Sequence, residues 1–325
     1  MISRAVPAFA DLSRRTKFRI TGADRVRFLN GQVSNDMRLA SPCAAVYSCV
    51  MTIKGKMCAD AFIHAAAAAL FLDAEPEVRE SLAARLEKYI IADDVMLEDV
   101  SDDFGLLHLF PFPADPAGGG GPLAPIAGVN GVSAMRYGVP GIDFWGPPAA
   151  IQNVRGQLLA GFPLLDDTVL ESRRILAGVP KWGVELDENT MPAEAGLEER
   201  AVSYTKGCYI GQEVVSRVRS VGHVNRQLGG LRSRSGVPLQ PGLRLYPTTQ
   251  DAGHRDVGRV TSVAADPEDA GASIALAFVR RGWETAGTVL AARLVSASES
   301  VGSSPAATDV PGEDSQAVVC ELPFT

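Results

Sequence analysis

The sequence predicts an α+β fold that ends in a small β-barrel. Three observations carry this. Strand-like pairs alternate with one well-patterned helix in the N-terminal part, a second helix closes on Gly178, and from Gly229 onward short strands follow one another between turns. At 325 residues the chain exceeds one compact core of ordinary size, so two or three subdomains are expected.

Taken in order, Lys17 to Thr21 reads as a strand ending at Gly22. Asp24 to Asn35 sets Val26, Leu29 and Val33 at three- and four-residue spacing, the pattern of a short amphipathic helix. Ala44 to Thr52 is a mostly apolar strand, and Lys54-Gly55-Lys56 turns it into Met57 to His64. Phe71-Leu72 begins a strand that ends near Asp73. The clearest helix runs from about Glu75 to Ile91. Pro76 suits its first turn, and Val78, Leu82, Leu86, Tyr89 and Ile90 form one apolar stripe. Val95 to Val100 returns as a strand.

Pro111 to Pro125 is rich in proline and glycine, with Gly118 to Gly121 in sequence. A phosphate-loop reading fails there, because no Gly-Lys-Ser/Thr follows and no G-x-G-x-x-G frames it; a flexible surface loop is expected. Thr168 to Ala177 is the second helix, with Gly178 in the capping place. Pro192 to Arg200 is acidic and expected to be exposed, and Glu213 to Arg219 alternates and is expected to be extended. Leu243 to Leu245, Gly258 to Val263, Ile274 to Arg280 and Thr288 to Val295 have the spacing of a small barrel. Ser296 to Gln316 is expected to be mobile, and Val318 to Leu322 to form a last strand. The expected division is 1–225 and 226–325.

Composition narrows the function classes. The chain is 46% hydrophobic and 21% charged, a globular balance. Its net charge of -7 argues against a general nucleic-acid binder and leaves a local basic patch open. The five cysteines, Cys43, Cys49, Cys58, Cys208 and Cys320, are odd in number and form no framework, which points to a reducing compartment. Ala65 to Leu72 is too short to span a bilayer, and Met1 to Arg4 followed by Pro7 lacks a signal-peptide core, so a soluble cytoplasmic protein is expected.

Much chemistry is excluded by spacing. No CxxC or HExxH occurs, and His64, His108, His223 and His254 do not pair with cysteines at zinc-ligand spacing. A protein-only iron–sulfur cluster would need four thiolates at cluster spacing. No G-x-S-x-G marks a serine hydrolase. A papain-like cysteine–histidine pair stays open, though Cys208 lacks that local context.

The most informative stretch is Lys206-Gly207-Cys208-Tyr209-Ile210-Gly211-Gln212-Glu213. A cysteine lies between two glycines, which permit positive φ and close approach of a ligand. Lys206, and Arg217 if the fold returns it, would hold Cys208 partly as thiolate. The plainer alternative is a turn with a small buried cysteine. Arg217, Arg219, Arg226, Arg232 and Arg234 follow. They read either as a solvated strand face or as a grip on a ligand with several carboxylates.

Several motifs together resemble one family. Gly22-Ala23-Asp24-Arg25-Val26-Arg27-Phe28-Leu29-Asn30-Gly31-Gln32-Val33-Ser34-Asn35-Asp36 resembles the opening of the folate-binding family that includes the glycine-cleavage T-protein. Lys54-Gly55-Lys56 into Asp60-Ala61-Phe62-Ile63 looks like its next hairpin, and Glu171 to Pro180 and Pro192-Ala193-Glu194 fit its middle. The octet around Cys208 resembles the signature of the YgfZ branch, whose mitochondrial relative is an iron–sulfur cluster assembly factor.

That resemblance implies a T-protein-like cloverleaf of three subdomains around a central folate channel, with a C-terminal β-barrel. It implies tetrahydrofolate, or a derivative, as cofactor and no metal. It implies iron–sulfur enzymes or cluster carriers as partners, including radical enzymes that modify tRNA, for a monomer that contacts neither membrane nor nucleic acid. Cys208, Lys206 and Arg217 would carry the chemistry. Asp60, Arg226, Gly207, Tyr209, Gly211, Gln212 and Glu213 would line the cofactor. Two departures count against aminomethyl transfer, the first alternative. The T-protein's paired aspartates reduce to Ala59-Asp60, and its pterin-reading glutamate falls on Leu176. A folate-binding module without chemistry is the second alternative.

Overall fold

A computed structural model describes residues 6–66, 68–112, 126–234, 238–248, 255–294 and 315–324. The glycine run at Gly118 to Gly121 lies outside them, as does all of the 296–316 segment except Ser315 and Gln316. The chain forms two compact units. One comprises residues 2–170 and 181–223, and the other residues 171–180 and 224–325 with Met1.

The larger unit holds two antiparallel sheets. Strands β1 (Ala8–Asp11), β2 (Thr16–Thr21), β3 (Val46–Met51), β4 (Met57–Ala65), β5 (Leu70–Ala74) and β6 (Met96–Asp99) come first. They are followed by β7 (Gly105–Phe110), β8 (Asn130–Ala134) and β9 (Gly141–Gly146). The five-stranded sheet runs β3-β4-β5-β2-β6 and the four-stranded sheet β1-β7-β9-β8. The expected hairpin at Lys54 to Lys56 is present, with Cys49 opposite Asp60 across β3 and β4. Alternation then turns Ala59 and Ala61 into the apolar core and Asp60 to the other face.

Helices α1 (Arg25–Gln32), α2 (Arg79–Glu87), α3 (Pro148–Leu159) and α4 (Asp167–Leu176) follow from their apolar spacing. Leu82 and Leu86 of α2 join the core with Val78, as the stripe predicts. The helix is shorter than expected, since Pro76–Val78 is a separate 3-10 turn. In α1 the stripe departs from expectation: Val26 faces outward, while Phe28, Leu29 and Gln32 are buried.

Most of α4, from Glu171 on, belongs to the smaller unit, and α5 (Glu198–Ala201) and α6 (Gln212–Val221) complete the larger one. Both correct the sequence reading. The stretch expected to be extended is α6. The stretch expected to be exposed is largely inside, where Glu194 is buried and accepts the Met191 N–H, and Ala195 and Leu197 join an apolar cluster.

The smaller unit is the expected barrel. Strands β10 (Arg226–Ser233), β11 (Arg244–Pro247), β12 (Gly258–Ala265), β13 (Ser273–Arg280), β14 (Val289–Arg293) and β15 (Ser315–Cys320) close in the order β10-β13-β12-β11-β14-β15. Leu231, Leu245, Val260, Val279, Leu290 and Val319 fill its interior. No described helix is long and apolar enough to cross a membrane.

Candidate functional site

Cys208 is exposed on a loop whose two ends are buried. Gly207 is exposed with it, while Lys206 before them and Tyr209 after them are buried. The seat of this loop is the end of α1 and the segment that follows. Lys206 Nζ donates to the carbonyls of Asn30 at 2.6 Å, Asn35 at 2.7 Å and Val33 at 2.8 Å. The Ile210 N–H donates to the Gly31 carbonyl at 3.1 Å. A helix leaves its last carbonyls without intrahelical partners, and that end carries partial negative charge. An ammonium and an amide from the cysteine loop therefore cap α1. Burial pushes Lys206 down to about 8, with Asp36 opposing.

This geometry explains why the two motifs occur in one chain. Asn30 Oδ1 accepts the Met37 N–H at 3.0 Å, and Asn35 Nδ2 donates to the Tyr47 carbonyl at 2.9 Å. Ser34 Oγ donates to the Ala201 carbonyl at 2.6 Å and accepts the Cys49 N–H at 2.8 Å. The Asp36 carboxylate takes the Arg38 guanidinium, which holds it down at about 2. The stretch from Asn30 to Asp36 thus shapes its own carbonyls into the receptor for Lys206.

Lys206 and Arg217 were expected against the thiol, and the structure gives both other partners. All three Lys206 hydrogens go to carbonyls, so its ammonium is a tie rather than a counter-charge. Arg217 forms an exposed pair with Glu213 one turn earlier, at 2.7 Å. Gly211 begins α6 at φ 88, and a Cβ there would stand 2.8 Å from the Thr52 carbonyl. Gly207 has neither constraint. The Gln212 N–H donates to the Tyr209 carbonyl at 3.2 Å. The other arginines of the expected cluster have separate surroundings: Arg219 over the Tyr204 ring, Arg226 over Phe278, Arg232 against Asp266 and Glu268, and Arg234 exposed.

Asp60 occupies a different position in the same unit. Its Oδ2 accepts the Tyr47 hydroxyl at 3.0 Å, while its buried Oδ1 has no partner among the described residues. Burial pushes its carboxyl up to about 6, with Arg15 opposing. Arg15 pairs with Asp73 and Glu75, and its NH2 nitrogen is likewise buried without a partner. Buried polar atoms with unused bonding capacity are uncommon and call for an explanation. Arg15 escapes sequence reading because it stands far from Asp60 in the chain, and Tyr47 because its approach to Asp60 depends on the register of the hairpin. Arg226 belongs to the other unit, where it lies in register with Arg280.

Of the other cysteines, Cys43 is exposed like Cys208, while Cys49 is buried and Cys58 and Cys320 are partly buried. Burial raises Cys49 well above an ordinary thiol and raises Cys58 and Cys320 as well. Among the described residues no group of three or more His, Cys, Asp or Glu is placed to hold a metal.

Fold and site define a T-protein-like body that presents a cysteine. The whole-chain likeness is to the glycine-cleavage aminomethyltransferase T of Bartonella henselae, with a TM-score of 0.76 at 18% identity, over 99% of this chain and 87% of that one. No family model matches the chain. Among curated proteins, the human mitochondrial iron–sulfur cluster assembly factor IBA57 is 27% identical over 76% of this chain and 72% of its own. The IBA57 homologue of Mycosarcoma maydis is 26% identical over 67% of this chain, and the match spans only 55% of that protein. The tRNA-modifying protein YgfZ of Sodalis glossinidius is 26% identical over 69% of this chain and 70% of its own. These likenesses support the family that joins YgfZ, IBA57 and the T-protein, and the structural one shows the T-protein fold.

Proposed function

We propose that this protein is a tetrahydrofolate-binding accessory factor for the assembly or repair of iron–sulfur clusters in selected enzymes, acting through Cys208. The observation that carries the reading is the exposed thiol of Cys208 on a loop clamped at both ends. An accessible thiol, once deprotonated, can attack a partner's disulfide and release its second sulfur as thiolate, or contact a partner's cluster, without rearrangement of the fold. The names of the IBA57 and YgfZ relatives supply the client class.

The donor set around Asp60 fits a folate. An orphaned carboxylate oxygen suits a ring or amine N–H, and the spare Arg15 nitrogen suits a carbonyl oxygen. Bound tetrahydrofolate would supply a reduced pterin whose amine nitrogens carry one-carbon units. Asp60 would accept a hydrogen bond from it, and Tyr47 would hold the carboxyl in place. Aminomethyl transfer is the less supported alternative, because Ala59 faces the apolar core and Leu176 packs in an apolar cluster, so neither offers a carboxylate.

The test is complementation of a bacterial strain lacking its own YgfZ. Wild type is expected to restore the activity of the affected iron–sulfur enzymes, and Cys208→Ala to fail while folding normally. Full restoration by Cys208→Ala would end the thiol role. An anaerobic tetrahydrofolate titration, read by tryptophan fluorescence and checked by calorimetry, tests the cofactor separately.

A further inference from the structure

We infer that Lys206 is a positioning residue whose ammonium fills a three-carbonyl cage at the end of α1 and thereby fixes the Cys208 loop. Only the functional meaning rests on the reading of Cys208 given above; the cage itself is independent of it.

The cage is matched in number and kind. Three carbonyl oxygens converge on one nitrogen at 2.6 to 2.8 Å, and a lysine ammonium has three donors and no acceptor. Such a ring of oxygens has the chemistry of a site for a small monovalent cation. The neighbouring charges do not substitute for it. Asp36 faces Lys206 but is already engaged by Arg38 through both oxygens, and Arg38 itself repels the ammonium.

Little else ties the cysteine end of the loop. Gly207 and Cys208 are exposed, and Tyr209 is held by apolar burial and by the same Lys206 ammonium, 5.1 Å from its ring centre, its hydroxyl without a partner among the described residues. On the far side the Ile210 N–H holds to Gly31 and Gly211 seats against the Thr52 carbonyl. Removing the ammonium leaves three carbonyls without their donor, and each then needs water or a cation.

The experiment is backbone hydrogen exchange, with resolution in the 203–212 segment, on the full chain carrying Lys206→Ala or Lys206→Met. Exchange at Ile210 is expected to accelerate about tenfold or more in both variants, while β4 and the barrel strands stay at wild-type rates. Potassium or methylammonium chloride is expected to restore protection in Lys206→Ala, where space is opened. Neither should restore it in Lys206→Met, where the side chain fills the space. Tetramethylammonium chloride, too large for the cage, controls for ionic strength. Unchanged exchange, or no rescue of Lys206→Ala by either small cation, overturns the inference. If Lys206→Ala does not fold, Lys206→Gln keeps two donors and should give an intermediate rate; a wild-type rate there overturns the inference equally. Failure of Cys208→Ala to impair complementation would remove the thiol role and leave the exchange result standing.

Discussion

At the scale of single residues, Asp60 is kept in a state that costs stability. Its folded pKa of about 6 lies above the ordinary carboxylate value, because burial outweighs the pull of Arg15. Between roughly pH 4 and 6 the folded chain therefore binds more protons at this site than the unfolded chain does. Stability falls as pH rises through that window, and the cost is fully present above it. Asp60→Asn removes the charge while its amide oxygen still accepts from Tyr47. The variant is expected to be more stable than wild type by on the order of 2–3 kcal/mol at pH 7, and by little at pH 4. Urea unfolding at the two pH values reads this, and an equal difference at both would refute it. The same variant is expected to lose tetrahydrofolate affinity, since a buried carboxylate with an idle oxygen is the mark of a group retained for a ligand.

At the scale of elements, α6 shows where sequence patterning stops. Val214, Val215 and Val218 are β-branched and stand among alternating charges, which is why the stretch reads as extended. What makes it a helix is tertiary. Gly211 takes a left-handed φ of 88 against the Thr52 carbonyl, and Val215 is buried beside Tyr209. Gly211→Ala is expected to cost about 1–3 kcal/mol, and Gly207→Ala less than about 0.5 kcal/mol, in denaturant unfolding. Equal costs would mean that the left-handed turn is not what sets the loop. Where pattern and burial agree, the elements were legible: β2, the β3–β4 hairpin, α4 and most barrel strands. The four-stranded sheet was not, because His108, Asp143, Ser133 and several glycines interrupt its apolar pattern. At the site, the octet announced the loop and the residues from Asn30 to Asp36 announced a motif. That one is the seat of the other needed the carbonyl geometry, since backbone acceptors leave no trace in residue type.

At the scale of the larger unit, its two sheets are joined through buried charge. Arg136 follows β8 and donates to Asp143 of β9 and to Asp73 of β5, at 2.7 Å in each case. Asp143 also takes His108 Nδ1 at 2.7 Å, and Arg15 joins Asp73 from the β1 side. Arg136 is thus the one residue bonded to an acid of each sheet within this set. Its removal leaves two carboxylates buried with too few donors, a situation that typically costs about 3–5 kcal/mol. The pH dependence follows from the sign of the shifts. Arg136 holds Asp143 and Asp73 below the ordinary carboxylate range, so their contribution is present above that range and is lost as pH falls through and below it. Without Arg136 both acids would protonate more readily, which relieves the unpaired charge. The deficit of Arg136→Met against wild type is therefore expected to be largest near neutrality and to shrink as pH falls toward the carboxylate range. Thermal unfolding of both proteins between pH 4 and 7 measures it. A deficit independent of pH would mean that Arg136 acts by packing over the Phe62 ring, 4.2 Å from its guanidinium, rather than by joining the sheets through charge.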